Sequence, residues 1–409
     1  MGDLLVSGAP DRPPRFSIRL VVGGLTLLAV GVLVALPLLD SGSPTEPGPR
    51  PPATTPSAST SPATPPPLLP DEQVQARLDG SPGDLPSGVV LALGGPEPTA
   101  VGRGSGPAFA LDQLPLADGE AVSALLPASG GLVAVVQHAV LSDTEPAARV
   151  YLVGAGGPVL LAEADEVVVG HRRDRVFALR YGPGWTSPGT LLQVSWSGRV
   201  VAGHSTPVGF ALHADTPAGL LTSIRPLGDE PARLQLVDPL TLAVREQLGP
   251  IGYVLTATAT RAVWLPHSCA GPCGLAVADL TTGARSTVRL ATGFDPGSAA
   301  ISPDGRHLAV GYRGRHPQQP GGAAAGFVEV VTLPTGRVSR IPGVATGIKQ
   351  VAELAWTPDG KSLALTVGQP EDDRRRVGLW APGGPVRVLP ADVAGAGAPS
   401  ALLALSAGG

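Results

Sequence analysis

From about Ala121 onward, apolar positions recur in blocks spaced about 40–55 residues apart. Each block reads as an apolar run, a tight turn, a second apolar run and a looser connection. A third apolar run, another tight turn and a short closing run complete it. In the clearest block, Ala299-Ala300-Ile301 is the first strand and Ser302-Pro303-Asp304-Gly305 the turn. Residues 308–312 and 327–331 follow as strands, and Pro334-Thr335-Gly336 turns into 338–341. The next block repeats this with Leu354-Ala355-Trp356, the turn Thr357-Pro358-Asp359-Gly360, and runs at 363–367, 377–380 and 386–389. Pro presets φ at the second turn position and Gly accepts the positive φ that closes it. Other blocks centre near Gly130, Asp174, Ala218 and Thr260, with a last one near Ser400. The runs are almost continuously apolar, as expected for sheets covered on both faces. Small residues in Val122-Ser123-Ala124 and Ser298-Ala299-Ala300 suit first strands crowded near an axis.

A fixed period with four short strands per block predicts an all-β fold, a β-propeller. Six blocks fit whole between about residues 121 and 392. Residues 89–93 and 99–101 resemble the outer half of another block, and Leu402-Leu403-Ala404-Leu405 an inner half. Joined, they make a seventh blade from both ends of the domain, which leaves no unpaired edge to open the ring. Seven blades over 85–409 is the expectation, with six or eight as alternatives because the early blocks are weakly marked.

The segments AAISPDGRHLAVGY (299–312) and ELAWTPDGKSLALTV (353–367) resemble the Ser/Thr-Pro-Asp-Gly repeat of TolB-like, WD-repeat-like bacterial propellers. VADLTTGAR (277–285) and VVTLPTGRV (330–338) match the strand and turn that close such repeats. The resemblance is specific for fold and weak for function. It implies that Asp304 and Asp359 are turn residues. TolB itself carries an extra α/β domain before its propeller; a different segment stands there in this chain, so TolB's partners are not implied.

That segment begins with a short tail, 1–17, and a predicted membrane span, 18–39. Residues 20–39 carry no charge, and as a helix they extend about 30 Å, the thickness of a bilayer's hydrocarbon core. Arg12, Arg15 and Arg19 precede the run, and Asp40 and Glu46 follow it. That bias places the tail in the cytoplasm and the propeller outside a bacterial cell membrane, as a single-pass anchor. A cleaved signal peptide is the rival reading, but the apolar run is long and Ala35-Leu36-Pro37 is a poor cleavage site. Residues 40–84 are rich in Pro, Ser and Thr and read as an extended spacer; an O-glycosylated stalk and a Pro-rich ligand for a partner domain are the alternatives.

Composition narrows the chemistry. The formal net charge is -4 and 15% of residues are charged, so nucleic acid is not an expected partner. The 55 Gly and 46 Pro suit many strands joined by turns. Lysine is confined to Lys349 and Lys361 and asparagine is absent, a bias associated with GC-rich, actinobacterial-type genomes. There is no Gly-x-Ser-x-Gly elbow, phosphate-binding Gly-rich loop or His-Glu-x-x-His, and the histidines are scattered. No cofactor and no catalytic residue is assigned.

The first and third connections of each block are short and the second is long and varied: 142–148, 182–189, 226–232, 266–274, 313–326 and 368–376. Function concentrates on variable loops held by a rigid scaffold, so this end of the ring is the expected binding face. Candidate contacts are Trp185, Arg313, Arg315, His316, Glu371, Asp372 and Asp373. The charge run 371–376 also reads as a solvated loop tip, and 171–175 as a solvated turn. Trp196, Trp264, Trp356 and Trp380 are expected in strands, as packing residues. Cys269 and Cys273 are expected to form a disulfide across one loop; a metal site shared with His267 is the alternative. The resulting expectation is a non-catalytic binding or scaffolding module for an envelope protein or extracellular ligand. A lactonase-type or related hydrolase with an axial metal is the alternative, and a purely structural envelope component a third.

Overall fold

A computed structural model describes residues 85–406, apart from 87, 103–108, 139–147, 184–186, 227, 229, 268–273, 292–293, 315–324, 347–350, 369–374 and 390–400. Strands β1 (Val89–Leu93) and β2 (Thr99–Gly102) come first. Blade 1 is β3 (Glu120–Ala128), β4 (Gly131–His138), β5 (Ala148–Gly154) and β6 (Gly157–Ala164). Blade 2 is β7 (Glu166–Val169), β8 (Arg175–Arg180), β9 (Gly189–Ser195) and β10 (Val200–Thr206). Blade 3 is β11 (Phe210–Thr216), β12 (Gly219–Ile224), β13 (Ala232–Val237) and β14 (Val244–Ile251). Blade 4 is β15 (Tyr253–Ala257), β16 (Arg261–Leu265), β17 (Gly274–Asp279) and β18 (Arg285–Arg289). Blade 5 is β19 (Pro296–Ile301), β20 (His307–Tyr312), β21 (Val328–Thr332) and β22 (Arg337–Arg340). Blade 6 is β23 (Leu354–Trp356), β24 (Leu363–Gly368), β25 (Arg375–Trp380) and β26 (Val386–Val388), and β27 (Leu402–Ser406) ends the series.

Each of the six blades is an antiparallel four-stranded sheet, and the seventh has the order β2-β1-β27. The chain is thus an all-β, seven-bladed propeller. Its closure is explicit in the register. Val89 pairs with Ser406, Leu91 with Ala404 and Leu93 with Leu402. The first strands β3, β7, β11, β15, β19, β23 and β27 each pack against the next around the axis, and β27 packs against β3. A main-chain bridge between Gly95 and Val122, with bonds of 2.9 and 2.8 Å, stitches blade 7 to blade 1.

The apolar pattern has a direct physical reading. Side chains alternate between the two faces of a strand, and here each face meets a different neighbouring blade. In β4, Leu132, Ala134 and Val136 enter the core shared with blade 7, whereas Val133 and Val135 enter the core shared with blade 2. Every pair of adjacent blades has its own apolar cluster, so the core is a ring of wedges rather than one mass. A two-sided strand has no position to spare for polar residues, which is why the runs look continuous.

The tight turns build their own hydrogen bonds. Ser302 Oγ donates to Asp304 Oδ1 (2.6 Å), Arg306 N–H donates to the same oxygen (3.0 Å), and His307 N–H donates to Ser302 Oγ (2.9 Å). Thr357, Asp359, Lys361 and Ser362 repeat the arrangement at 2.7, 3.1 and 3.0 Å. Gly305 and Gly360 hold φ of 68° and 69°, the left-handed region that closes each turn. The hydroxyl bonds hold the Asp304 and Asp359 carboxyls below the usual carboxylate range. Both aspartates are turn-makers.

Several details differ from the sequence reading. β19 begins at Pro296, three residues before the expected Ala299, and β25 at Arg375, two before Val377, because the pairing of each blade continues toward its loop end. The third strand of blade 5 begins at Val328, because Phe327 uses its carbonyl to accept Tyr312 N–H (2.8 Å) as the blade opens into its loop. Trp196 lies beyond the end of β9, in the turn, where its indole N–H donates to Arg173 O (2.9 Å) and ties two turns of blade 2 together. Trp264, Trp356 and Trp380 are buried in strands. The expected membrane span and spacer, the expected disulfide of Cys269 and Cys273, and the candidates Trp185, Arg315, His316, Glu371, Asp372 and Asp373 lie outside the described residues. Among the described residues no helix is long and apolar enough to cross a membrane.

Candidate ligand-binding end

Strand direction sorts the connections onto two ends. First strands run toward the tight-turn end and second strands return. The connections after second strands and those between blades therefore share the opposite end, here the loop end. All the long, varied connections of the sequence emerge there.

The inner rim of the loop end is tied from blade to blade. Glu166 Oε2 accepts Leu212 N–H (2.6 Å), joining blades 2 and 3. Tyr253 Oη donates to Pro296 O (2.8 Å), joining blades 4 and 5. Ser298 Oγ donates to Ala352 O (2.6 Å) at the entry to blade 6. These ties fall within the first three residues of the first strands or just before them, so the mouth of the ring is braced where the loops are rooted.

Glu166 is the unusual member. It is 7% exposed, accepts the Tyr181 hydroxyl through its other oxygen, and sits beside Asp165, whose Oδ2 accepts Tyr181 N–H (2.7 Å). Burial pushes the Glu166 carboxyl up to about 7, with the Asp165 charge adding to the effect; the Leu212 and Tyr181 bonds work against it. Burial likewise raises Tyr181 well above the ordinary phenol range. Sequence reading missed this group, since Tyr181 lies 15 positions away across the blade and Leu212 lies 46 away on the next one. Both carboxylate oxygens are engaged, so the arrangement reads as a rim tie rather than a reactive acid.

Of the predicted contacts, Arg313 is described. It follows β20, and its main-chain N–H donates to Asp295 O (3.0 Å). The side chain lies over Gly297, where a Cβ would come 3.0 Å from Nε. Nε is buried and has no hydrogen-bond partner among the described residues. Arg313 thus places a donor at the root of the 313–326 connection, next to the first strand of blade 5. Among the described residues no three His, Cys, Asp or Glu side chains gather closely enough to share a metal ion.

No family model matches the chain, and no curated protein matches it. Solved structures similar to it include the β-propeller domain of the Trilobed protease from Pyrococcus furiosus, at 11% identity, 64% of this chain, 82% of that chain and a TM-score of 0.46. TolB from Acinetobacter baumannii is 13% identical over 77% of this chain and 65% of that one, with a TM-score of 0.39. A putative TolB from Agrobacterium tumefaciens is 15% identical over 56% of this chain and 83% of that one, with a TM-score of 0.38. At these identities the likeness concerns fold alone.

Proposed function

We propose that the chain is a membrane-tethered, extracytoplasmic propeller whose loop end captures a protein or small ligand of the bacterial envelope, acting as a binding scaffold rather than a catalyst. The observation that carries this is the asymmetry of the two ends. One end is built from short turns saturated with their own hydrogen bonds. The other roots every long connection on a rim tied blade to blade. A rigid ring presenting variable loops is suited to recognition. Trp185, Arg313, Arg315, His316, Glu371, Asp372 and Asp373 are the proposed contacts, with the loop holding Cys269 and Cys273 braced by their disulfide.

Strand direction adds an orientation. β1 is a second strand, so it starts at the tight-turn end, and the chain before Leu85 joins the propeller there. A tether at that end directs the loops away from the bilayer. The test is crosslinking in intact cells, followed by partner identification. Replacing 315–324 with a short Gly-Ser linker should abolish the adduct and leave the melting temperature unchanged. Shortening the turn at 334–336 should lower melting first. An adduct indifferent to loop replacement would refute the assignment.

A further inference from the structure

The tight-turn end carries a second, different surface. The large hydrophobics that stand exposed among the described residues are Val159, Leu160, Val200, Val201, Leu240, Val244 and Val338. All lie in the first half of a fourth strand or in the turn before one, which puts them on the outer rim of the same end. Single exposed apolar residues are ordinary. Here all but Val338 fall on three consecutive blades, and the pieces adjoin. A Cβ on Gly198 would lie 2.9 Å from Leu160 O, so the last turn of blade 2 sits against β6. Gln193 Nε2 donates to Pro239 O (3.0 Å), which brings the Leu240 turn against β9.

The charges beside this rim are unbalanced. Asp174 is taken by Arg175 (2.7 Å) and Asp238 by Arg245, while Asp215 accepts the main-chain N–H of His171 and lies against its Nδ1 (both 2.8 Å); five arginines (Arg172, Arg173, Arg175, Arg199 and Arg245) stand against these three carboxylates. Arg172, Arg173 and Arg199 have no carboxylate at ion-pair distance among the described residues, and all are exposed. Arg173 also holds φ of 54°. Its N–H donates to Gly170 O (2.6 Å), the position Gly305 fills in blade 5. Left-handed backbone at a non-glycine residue is unfavourable. An exposed arginine kept there, when glycine would fold more easily, points to a use for the guanidinium.

We propose that this rim, centred on Leu160, Val200, Val201, Arg172, Arg173 and Arg199, rests on the anionic headgroups of the bilayer to which the chain is tethered. Guanidinium forks match phosphate oxygens, and the neighbouring valines and leucine enter the headgroup boundary as on other interfacial surfaces. The tether joins at the same end, so it holds this rim within reach of the lipid. The loop end then faces outward with a fixed tilt. This inference rests on the reading of 20–39 as a membrane span, and the two are separable by experiment.

The full chain is reconstituted into phosphatidylcholine vesicles with and without phosphatidylglycerol, and side-chain accessibility is read by hydroxyl-radical footprinting. Labelling of Leu160, Val200 and Val201 should fall on the anionic vesicles and recover at high salt, where the screening length shrinks to about 3 Å. Each arginine removed should weaken the lipid contact about fivefold, and R172E/R199E should abolish the protection. R173G, which relieves the backbone, should keep the fold and still weaken the contact. Equal labelling on both vesicles, or protection that survives R172E/R199E, overturns the proposal. Alkaline extraction reports the tether independently. A chain that washes off yet shows lipid-dependent protection loses the tether and keeps this surface. A chain that stays embedded without protection keeps the tether and overturns the surface.

Discussion

At the scale of single residues, how far apart the partners lie decides what can be read from sequence. Asp304 declares itself, because Ser302 and Arg306 are its near neighbours and the turn is complete within a few positions. Glu166 does not: its Leu212 partner is 46 positions away and meets it only because two blades are adjacent. Arg173 was legible as a turn residue, yet its positive φ was not, since the sequence offers no glycine to mark it. Glu166 also carries a pH prediction. Its folded pKa, near 7, lies above the ordinary 4.5. The folded state therefore holds a proton that the unfolded state has lost between those values, so the Glu166 contribution is present at low pH and is lost as pH rises toward 7. The shift corresponds to about 3 kcal/mol. Glu166→Gln mimics the neutral form. The difference between its denaturation free energy and that of the wild type should grow in the variant's favour from pH 5 to pH 8. A flat difference would sink this account.

At the scale of elements, the four-strand block was legible because turn chemistry and two-sided burial both leave marks on sequence. Blades 5 and 6 carry Ser-Pro-Asp-Gly and Thr-Pro-Asp-Gly, and the strand ends beside those turns fell where expected to within a residue, whereas the ends at the loop side differ by up to three. Blades 1 to 4 make the same bends with other residues, such as Thr216, whose Oγ1 donates to Gly219 O (2.7 Å). No shared motif flags those turns. Thr357 tests how much the motif contributes. It is fully buried, and its hydroxyl donates to Asp359 Oδ1 while accepting from Ser362 N–H. Thr357→Val keeps the shape and removes the hydroxyl's bonds to the exposed Asp359 carboxylate and to Ser362 N–H, which should cost about 0.5–1.5 kcal/mol in thermal or chemical unfolding. A variant as stable as the wild type would show that the turn is dictated by packing and not by its side chains.

For the whole molecule, the decisive feature is the seventh blade. Its two fragments were legible only as leftovers of the repeat, and the register of β1 against β27 confirms that they meet. The loops that carry most candidate contacts lie outside the described residues, and repeat patterns say nothing of loop shape, so the working face is the least legible part of the chain. Removing 401–406 should be severe. Leu402 and Leu405 are buried, at about 1.5–3 kcal/mol each, and β1 would lose its whole inner partner. Against a typical total of about 5–15 kcal/mol, the truncated chain should unfold at a markedly lower temperature. Melting as cooperative and as late as the full chain would mean that the other blades hold the circle shut without it.

That seam also imposes an order of events in time. β27 is synthesised after the other strands, yet β1 needs it as a neighbour from the start. A growing polypeptide therefore waits, with the apolar wedges on both sides of the seventh blade incomplete, until β27 has been made. Long-range pairings of this kind slow folding and expose sticky intermediates. A product that stops short of β27 would keep β1 without its inner neighbour and leave the seam unsealed.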